Sequence, residues 1–577
     1  MPVHNAEIAA VFEEIADLLE IRNENPFRVR AYRNAARTLQ GLGIAVPDLL
    51  ARGEDLTRLP GIGTDLAARI AEIVSTGKCQ LLDALHRQVP HTVAELLKVR
   101  GLGPKRVRAL YQELDVHTPE QLVRAAHDGR IRALPGFGAK TEQAILDAVT
   151  RHVSEQPRTK LAVAAQYAAA LQAYIESIPG VLQVVAAGSY RRCRETVGDL
   201  DILVTTDRAG IMKRIVAHDE VVRVLASGPT RATVLLRAGL QVDVRVVDQG
   251  CFGAALVYFT GSREHNIALR RLAQEQGLKI SEYGVFRGKR RIAGDTEESV
   301  YRSVGLPWIT PELRENRGEL EAAQAGKLPR LVTLADLRGD LHAHTRATDG
   351  HNTLEEMAAA ARAAGLEYLA ITEHSRRLTV AHGLDPKRLR QQMRRIDRLN
   401  ETLKGITLLK GVEVDILEDG GLDLPDTVLG ELDLVIGAVH SSFHLSRTQQ
   451  TDRILRAMDR PYFTLLAHPT GRLIENREPY DVDMLKVIRK ARERGCFLEL
   501  NANPERLDLL DVYCRMARDE GVLVAINSDA HRVQDFANLA HGVGQARRGW
   551  LEKRDILNTR TLHQLRARIR QHAQPRH

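Results

Sequence analysis

At 577 residues the chain is too long for one hydrophobic core, so three or more domains are expected. Its five cysteines, Cys79, Cys193, Cys251, Cys496 and Cys514, form no CxxC pair, which argues against a disulfide framework and a thiolate zinc site and fits a reducing cytoplasm. The net charge of +8 is unevenly spread: Lys and Arg against Asp and Glu number 19 to 19 over residues 1–150, 26 to 20 over 151–330 and 37 to 35 thereafter, so the basic excess, which suits a polyanionic partner, sits in the middle. The opening MPVHNAEIAAVFEEIADLLE mixes acids into its apolar pattern and no apolar run reaches spanning length, so a soluble protein working away from membranes is expected.

Residues 1–150 read as helical, with apolar residues at three and four spacing in IAAVFEEIADLLEI and AYRNAARTLQGL. One pattern recurs in LPGIGTDLAARI (Gly61, Gly63), VRGLGPKRVRAL (Gly101, Gly103, Lys105) and LPGFGAKTEQAI (Gly136, Gly138). Each is an apolar residue, a Gly-x-Gly hairpin and a helix start, which turns the amides of a helix N-terminus outward as phosphate donors without reading bases. A single copy would pass for a plain turn. The three resemble helix-hairpin-helix motifs, which implies non-specific binding of a DNA backbone. Residues 1–85 are similar to the small N-terminal domain of DNA polymerase beta, and residues 86–150 read as a second helix-hairpin-helix domain. In that family a helix lysine forms a Schiff base with an abasic sugar, whereas Arg69 and Asp65 stand at the matching positions here. Arginine stays protonated and cannot be that nucleophile, and Lys78 is the nearest substitute, so lyase activity is expected to be weak or absent.

In VVAAGSYRRCRETVGDLDILVT, residues 184–205, two strands flank a Gly-Ser turn with an arginine pair. Alternation along the second strand puts Asp199 and Asp201 on one face, and Asp243 in LQVDVRVV suits an adjacent strand. Carboxylates that close repel unless cations lie between them, and three such acids can hold two divalent ions about 4 Å apart for in-line phosphoryl transfer. The run resembles the nucleotidyltransferase palm of DNA polymerase beta, read here over residues 151–248, with Mg²⁺ or Mn²⁺ as the ions. The resemblance implies that Ser189 and Arg192 hold the incoming triphosphate and that Gly198 leaves backbone close to it.

Residues 249–312 are read as the nucleotide-binding subdomain. There AALVYFTGSREHNIALRRLA matches the family's nucleotide-binding turn and helix, which implies that Tyr258, Phe259 and Gly261 pack against the sugar, Asn266 contacts the base edge and Arg270 the template strand. Arg263, Glu264 and His265 depart from the animal enzyme, which leaves the geometry at the nascent pair open. Residues 313–335 are polar and read as a linker with one helix.

From Asp340 onward seven apolar runs of strand length alternate with helical stretches, which implies a closed parallel sheet with chemistry at its C-terminal strand ends. Six runs end in metal-capable residues: His342, His344 and then Asp349; His374; Glu413; His440; His468; Asp529 and His531. Only CFLELNANP is read as lacking one. Nine imidazoles and carboxylates exceed the needs of one ion, and their chemistry favours Zn²⁺, Mn²⁺ or Fe²⁺. The motifs resemble the polymerase and histidinol phosphatase (PHP) domain over residues 336–577. That resemblance implies one metal on His342, His344, Glu413 and Asp529, a second on Glu413, His440 and His468, and a third on Asp349, His374 and His531. Glu373 stands where the family has Asp and is not an expected ligand. Arg472 fits either a phosphate clamp or a structural salt bridge.

The expected architecture is multidomain: an all-α helix-hairpin-helix region, an α+β nucleotidyltransferase palm with a fingers or thumb subdomain, and a distorted (β/α)7 PHP barrel. The whole resembles the bacterial and archaeal family X DNA polymerases. That implies a monomeric, cytoplasmic, nucleoid-associated enzyme taking dNTPs and gapped or primer–template DNA in base excision repair. Two or three Mn²⁺ or Zn²⁺ ions in the barrel would serve a 3′–5′ exonuclease, with abasic-site cleavage as an open second activity. Two alternatives are a nucleotidyltransferase for RNA or a small molecule fused to a phosphoesterase, which the three hairpins oppose, and a non-catalytic DNA-binding scaffold, which the complete acid and histidine sets oppose.

Overall fold

A computed structural model describes residues 5–573 except 41, 43–45, 90–92, 94–95, 100–101, 139–140, 144 and 147–157. The chain divides into two compact units, Met1–Thr159 with His218–Arg223 and Leu235–Gln241, and Lys160–Ala217 with Val224–Val234 and Val242–His577.

In the first unit helices α1 (Asn5–Ile21) and α2 (Pro26–Gln40) pair, and the Phe12 ring meets Tyr32 edge-on with centroids 5.3 Å apart. One cluster of buried side chains runs from Ile8 to Ile145, so the stretches read as separate domains, 1–85 and 86–150, share a hydrophobic core. Polar links cross the same boundary: His86 Nε2 lies 2.8 Å from Glu14, and Arg108 donates to Asn23 at 2.7 Å. Helices α3 (Thr64–Thr76) and α4 (Pro104–Leu114) start directly after Gly63 and Gly103, the latter with Pro104 in its first turn, where a missing N–H costs nothing.

A five-stranded sheet follows in the order β1-β2-β5-β4-β3, with β1 Val181–Ala186, β2 Asp199–Thr206, β3 Val221–Ser227, β4 Arg231–Leu236 and β5 Gln241–Val246. Helix α5 (Leu161–Glu176) packs on the sheet, and β2 alternates as expected: Leu200 and Ile202 are buried while Asp199 and Asp201 lie on the other face. Helices α6 (Phe252–Thr260) and α7 (Arg263–Glu275) come next, joined through a cis Gly261–Ser262 peptide, with the Ser262 hydroxyl accepting from His265 N. An antiparallel three-stranded sheet, β6 Lys279–Ser281, β7 Gly284–Arg287 and β8 Arg290–Ala293, and helix α8 (Glu297–Ser303) close this subdomain around Val257, Leu269, Val285 and Tyr301.

Residues 313–335, expected to be a polar linker, are packed structure instead. Leu313, Leu320, Ala323 and Leu331 join the same core, together with Trp550 from the C-terminal region. Arg314 is fully buried because its Nη1 meets Glu297 at 2.7 Å and its Nε donates to Ile309 O at 2.8 Å. Glu297 also receives both guanidinium nitrogens of Arg191, which joins the β1–β2 turn to this core.

The C-terminal region is a parallel seven-stranded sheet in sequential order: β9 Gly339–Asp340, β10 Tyr368–Ile371, β11 Thr407–Asp415, β12 Leu434–Ala438, β13 Leu465–Leu466, β14 Phe497–Asn501 and β15 Val524–Asn527. A parallel bridge between Ala343 and Ala530, just beyond β9 and β15, closes the ring. Leu341, Ala370, Leu409, Ile436 and Ala525 belong to one buried cluster, and the helices pack outside against a larger one, which leaves the C-terminal strand ends as a polar crown.

Glu297→Ala would leave the Arg314 and Arg191 guanidiniums without their shared anion, and is expected to reduce unfolding free energy by about 3 kcal/mol. Urea unfolding followed by tryptophan fluorescence measures this, since Trp308 Nε1 donates to Glu297 at 2.9 Å. Glu367→Ala, which breaks the exposed Arg338–Glu367 pair, should leave the midpoint in place. Equal effects of the two substitutions would contradict the role given to Glu297.

Candidate functional site

The first site lies where β2 and β5 run side by side. A pocket of about 330 Å³ is lined by Gly188, Ser189, Arg192, Asp199, Asp201, Tyr258, Phe259, Gly261, Arg263, Asn266 and Arg270. Nine of the eleven nucleotide-binding and catalytic positions proposed from sequence for this region are therefore together; Gly198 and Asp243 are not in the lining. Asp243 is 7% exposed, accepts from Thr233 Oγ1 at 2.6 Å and lies 3.3 Å from Arg231, close enough to Asp201 to act on its charge. Burial and, after it, the neighbouring Asp199 and Asp243 carboxylates together push the Asp201 carboxyl up to about 7 against the pull of Arg245 and Arg192.

Local geometry explains the small residues around these acids. Gly188 has φ +65°, and a Cβ there would come 2.6 Å from Asp201 Oδ2, so both backbone and space demand glycine. Arg192 donates from Nε to Glu315 at 3.0 Å and from Nη1 to Thr260 O at 2.5 Å. Asn266 Nδ2 is tied to Tyr258 O at 2.7 Å, and Arg245 stacks 4.3 Å over the Phe259 ring. Of the residues that depart from the animal enzyme, Arg263 lines the pocket, whereas His265 is fully buried between Glu319 (2.6 Å) and the Tyr301 hydroxyl (2.9 Å).

The second site crowns the barrel, where the nine anticipated side chains come together, five histidines directly around Glu413. His374 Nδ1 (2.8 Å), His342 Nε2 (3.4 Å) and His344 Nε2 (3.5 Å) face its Oε2, while His468 Nε2 (2.9 Å) and His440 Nε2 (3.2 Å) face Oε1. Asp529 lies 3.4 Å from His344 and 3.5 Å from His342; Asp349 lies 3.4 Å from His374 and 3.5 Å from His531. Three subsets are tight enough to share an ion: His344, Asp349, His374 and His531; His342, His344 and Asp529; and His374, Glu413 and His440. These overlap the expected sets: His344 and His374 each belong to two of the groups, and His468, 2.9 Å from Glu413, belongs to none of them. Buried His342 Nε2, both His344 nitrogens, Asp349 Oδ1, Glu413 Oε2 and His468 Nδ1 have no hydrogen-bond partner among the described residues. Polar atoms left so at the bottom of a crown fit bound cations.

Supporting residues fix which ring nitrogen points inward. His342 Nδ1 is held by Glu499 at 2.7 Å, His440 Nδ1 by Asp415 at 2.5 Å and His531 Nδ1 by the Asp529 carbonyl at 2.9 Å. CFLELNANP, read as the one run that lacks a metal-capable residue at its end, supplies a supporting residue instead: Glu499 is a fully buried carboxylate on β14 that also accepts from His468 N at 2.8 Å. A glutamate inside an apolar strand was the available signal. Glu373 points away from the cluster and accepts from Thr345, Thr348 and Gln392. Arg472 is a salt bridge: it reaches Glu195 at 2.7 Å and Leu507 O at 2.5 Å.

In the helical unit, Gly61 and Gly136 adopt left-handed φ of +68° and +83°. Gly63 and Gly103 have φ near −80°, which any residue tolerates, and a Cβ at either, or at Gly138, would meet nothing within 4 Å. Internal packing therefore does not require glycine at these three positions. Lys105 lies in the first turn of α4; Gly101 falls outside the described residues. Arg69 is paired with Asp65 at 3.2 Å, and Lys78 is exposed.

Comparison with known families places a helix-hairpin-helix domain at residues 3–79, a SAM-like helix-hairpin-helix tandem at 93–150, a DNA polymerase beta palm at 157–258, a DNA polymerase beta thumb at 255–315 and a PHP domain at 340–503. The chain is 38% identical over 573 residues to the DNA polymerase/3′-5′ exonuclease PolX of Bacillus subtilis, covering 98% of this chain and 99% of that protein. It is 30% identical over 235 residues to a probable phosphatase of Thermoanaerobacter sp. (38% of this chain, 89% of the relative), and 27% identical over 348 residues to DNA polymerase lambda of Rattus norvegicus (54% and 56%).

Since ionising Asp201 costs stability where its neighbours are also charged, Asp201→Asn is expected to raise the thermal midpoint in EDTA at about pH 8. The gain should shrink as pH falls through the raised value of about 7 towards the ordinary 3.8, where the native carboxyl is itself neutral. Differential scanning fluorimetry checks both, and a lower midpoint for the variant at the alkaline end would contradict the crowding.

Proposed function

Because the chain belongs to the family X DNA polymerases that carry a C-terminal PHP domain, we propose that it fills short DNA gaps at Asp199, Asp201 and Asp243 and trims 3′ ends at the barrel crown. One observation carries this: two carboxylates of a three-acid group share a pocket with Ser189, Arg192, Tyr258, Phe259, Asn266 and Arg270.

The three acids would hold two Mg²⁺ or Mn²⁺ ions, which supply Lewis-acid stabilisation to the attacking and departing oxygens when bound. Ser189 and Arg192 hold the triphosphate, the backbone at Gly188 and Gly198 approaches it, and Tyr258, Phe259 and Gly261 form the wall against the sugar. Asn266 and Arg270 meet the base pair and template strand. In the barrel His342, His344, Asp349, His374, Glu413, His440, His468, Asp529 and His531 would hold two or three Mn²⁺ or Zn²⁺ ions. The mixed imidazole and carboxylate set there favours Mn²⁺ or Zn²⁺, and the oxygen-only set of the palm favours harder ions. Bacillus subtilis PolX, by its name both polymerase and 3′-5′ exonuclease, supports assigning the second activity to this crown, and the likeness to polymerase lambda supports gap filling in repair.

Gly61, Gly63, Gly101, Gly103, Lys105, Gly136 and Gly138 grip the duplex backbone. The open space beside Gly63, Gly103 and Gly138 supports close approach of a phosphate chain, which neither a small-molecule transferase nor its substrate requires. No helix among the described residues is long and apolar enough to cross a membrane. The enzyme is read as a monomer of the cytoplasm, working on DNA at the nucleoid with dNTPs.

On a one-nucleotide gap with a 5′-phosphate, Asp201→Ala should reduce primer extension by at least about a thousandfold while leaving primer shortening in Mn²⁺ without dNTPs intact. His344→Ala should do the reverse. Loss of both activities in either variant would overturn the two-site assignment.

A further inference from the structure

The palm turn that follows Ser189 is seated directly on the barrel. Arg548, at the end of the helix Leu539–Arg548 that follows β15, donates from Nη1 to Arg192 O and to Glu315 Oε1, both at 2.8 Å, and from Nη2 to Asp511 at 2.7 Å. Glu315 in turn accepts from Arg192 Nε at 3.0 Å. Gly544 on the same helix abuts Cys193, where a Cβ would come 3.2 Å from the cysteine Cβ, and Arg472 holds Glu195. The segment 192–195 thus has barrel groups against three of its four residues.

These side chains form one buried ionic chain, Arg192–Glu315–Arg548–Asp511–Arg317, closed by Arg317 3.0 Å from Asp511. Arg548 is 3% exposed, Glu315 and Asp511 are 11% exposed and Arg192 is 13% exposed, so water screens little of this stretch, whereas Arg317 at its far end is 33% exposed. With Arg194 also 3.8 Å from Glu315, four guanidiniums face two carboxylates, and Arg192 is the member that lines the nucleotide pocket. An anion entering that pocket completes the alternation. With Nε on Glu315 and Nη1 on Thr260 O, the orientation of the Arg192 fork is set by two partners, of which Glu315 is itself held by Arg548.

We infer that Arg548 and Glu315 are positioning residues for nucleotide binding: the docked metal barrel, through them, aims Arg192 at the triphosphate of the incoming dNTP. The inference rests on the assignment of Arg192 to triphosphate binding made above. Arg548 touches neither substrate nor either acid cluster, so its effect belongs to ground-state affinity more than to chemistry.

Steady-state gap filling with varied dNTP, on the full-length enzyme, tests it. Arg548→Ala should raise the dNTP KM by about tenfold, the scale of one charge-assisted hydrogen bond, with kcat lowered less than about threefold and primer shortening unchanged. Arg548→Lys should recover part of the loss, and Glu315→Gln should raise KM in the same direction. Lys160→Ala breaks another buried palm–barrel pair, Lys160–Glu505 at 2.5 Å, without touching Arg192, and should leave KM within about twofold. Equal KM increases from Arg548→Ala and Lys160→Ala would reduce the effect to general docking and overturn the inference. So would an unchanged KM in Arg548→Ala when Arg192→Ala raises it; an unchanged KM in Arg192→Ala instead removes the triphosphate assignment itself. Should Arg548→Ala lose primer shortening as well, Glu315→Gln decides, because an unchanged KM there is incompatible with the relay.

Discussion

Five imidazoles within 3.5 Å of one buried carboxylate, Glu413, are the constraint around which the C-terminal half is built. Burial alone would push the Glu413 carboxyl up; the His374, His342 and His440 rings outweigh it and hold the group well below the usual carboxylate range. A cluster like this needs the whole sheet in place, because its members come from β11 and from the ends of five other strands and the seventh, β14, supplies the supporting Glu499. Two of them, His468 and Asp529, also occupy left-handed backbone, with φ of +28° and +53°. Such conformations persist where the surrounding structure over-determines them, and here the surrounding structure is the closed ring, in which Glu499 accepts from His468 N and Asn501 Nδ2 donates to Asp529.

The palm meets a related electrostatic problem with different means. Two of its acids, Asp199 and Asp201, line a pocket that has no imidazole among its lining residues, and the nearby positive charge is Arg192 and Arg245, with Arg231 beside Asp243. Asp201 therefore sits with a raised affinity for protons, whereas Glu413 sits with a lowered one. The contrast follows from neighbours: like charges around the first, basic rings around the second. An oxygen-only open site suits ions that arrive with a polyphosphate, and a nitrogen-rich closed crown suits ions that stay.

What could be read from sequence was whatever short-range spacing encodes. The HxH after β9, the GDLD opening β2 and the histidines at strand ends follow from alternation and from a repeating strand–helix unit, and all of them converge as expected. What was missed or left open shares a cause, namely that the partners lie far along the chain. Glu499 acts on His342, 157 residues away, and the salt-bridge reading of Arg472, one of two left open, needs Glu195, 277 residues away. The segment 313–335 read as a linker because Arg314, Glu315 and Glu319 made it polar, yet each of these charges is buried against a specific partner: Glu297, Arg192 with Arg548, and His265. Composition reports polarity; only tertiary structure reports whether that polarity is paired. The ring orientations at the crown were likewise illegible in short-range spacing, because they are set by Glu499 and Asp415.

The same paired charges decide how the two catalytic halves are joined. Trp550 enters the thumb core, the Arg548 chain crosses from barrel to palm, and Lys160–Glu505 and Arg472–Glu195 bridge the remaining edge. Undocking the barrel would expose an aromatic core residue and leave several low-exposure charges without partners, a cost far larger than that of bending a tether. The barrel is thus part of the polymerase structure and not a swinging appendage.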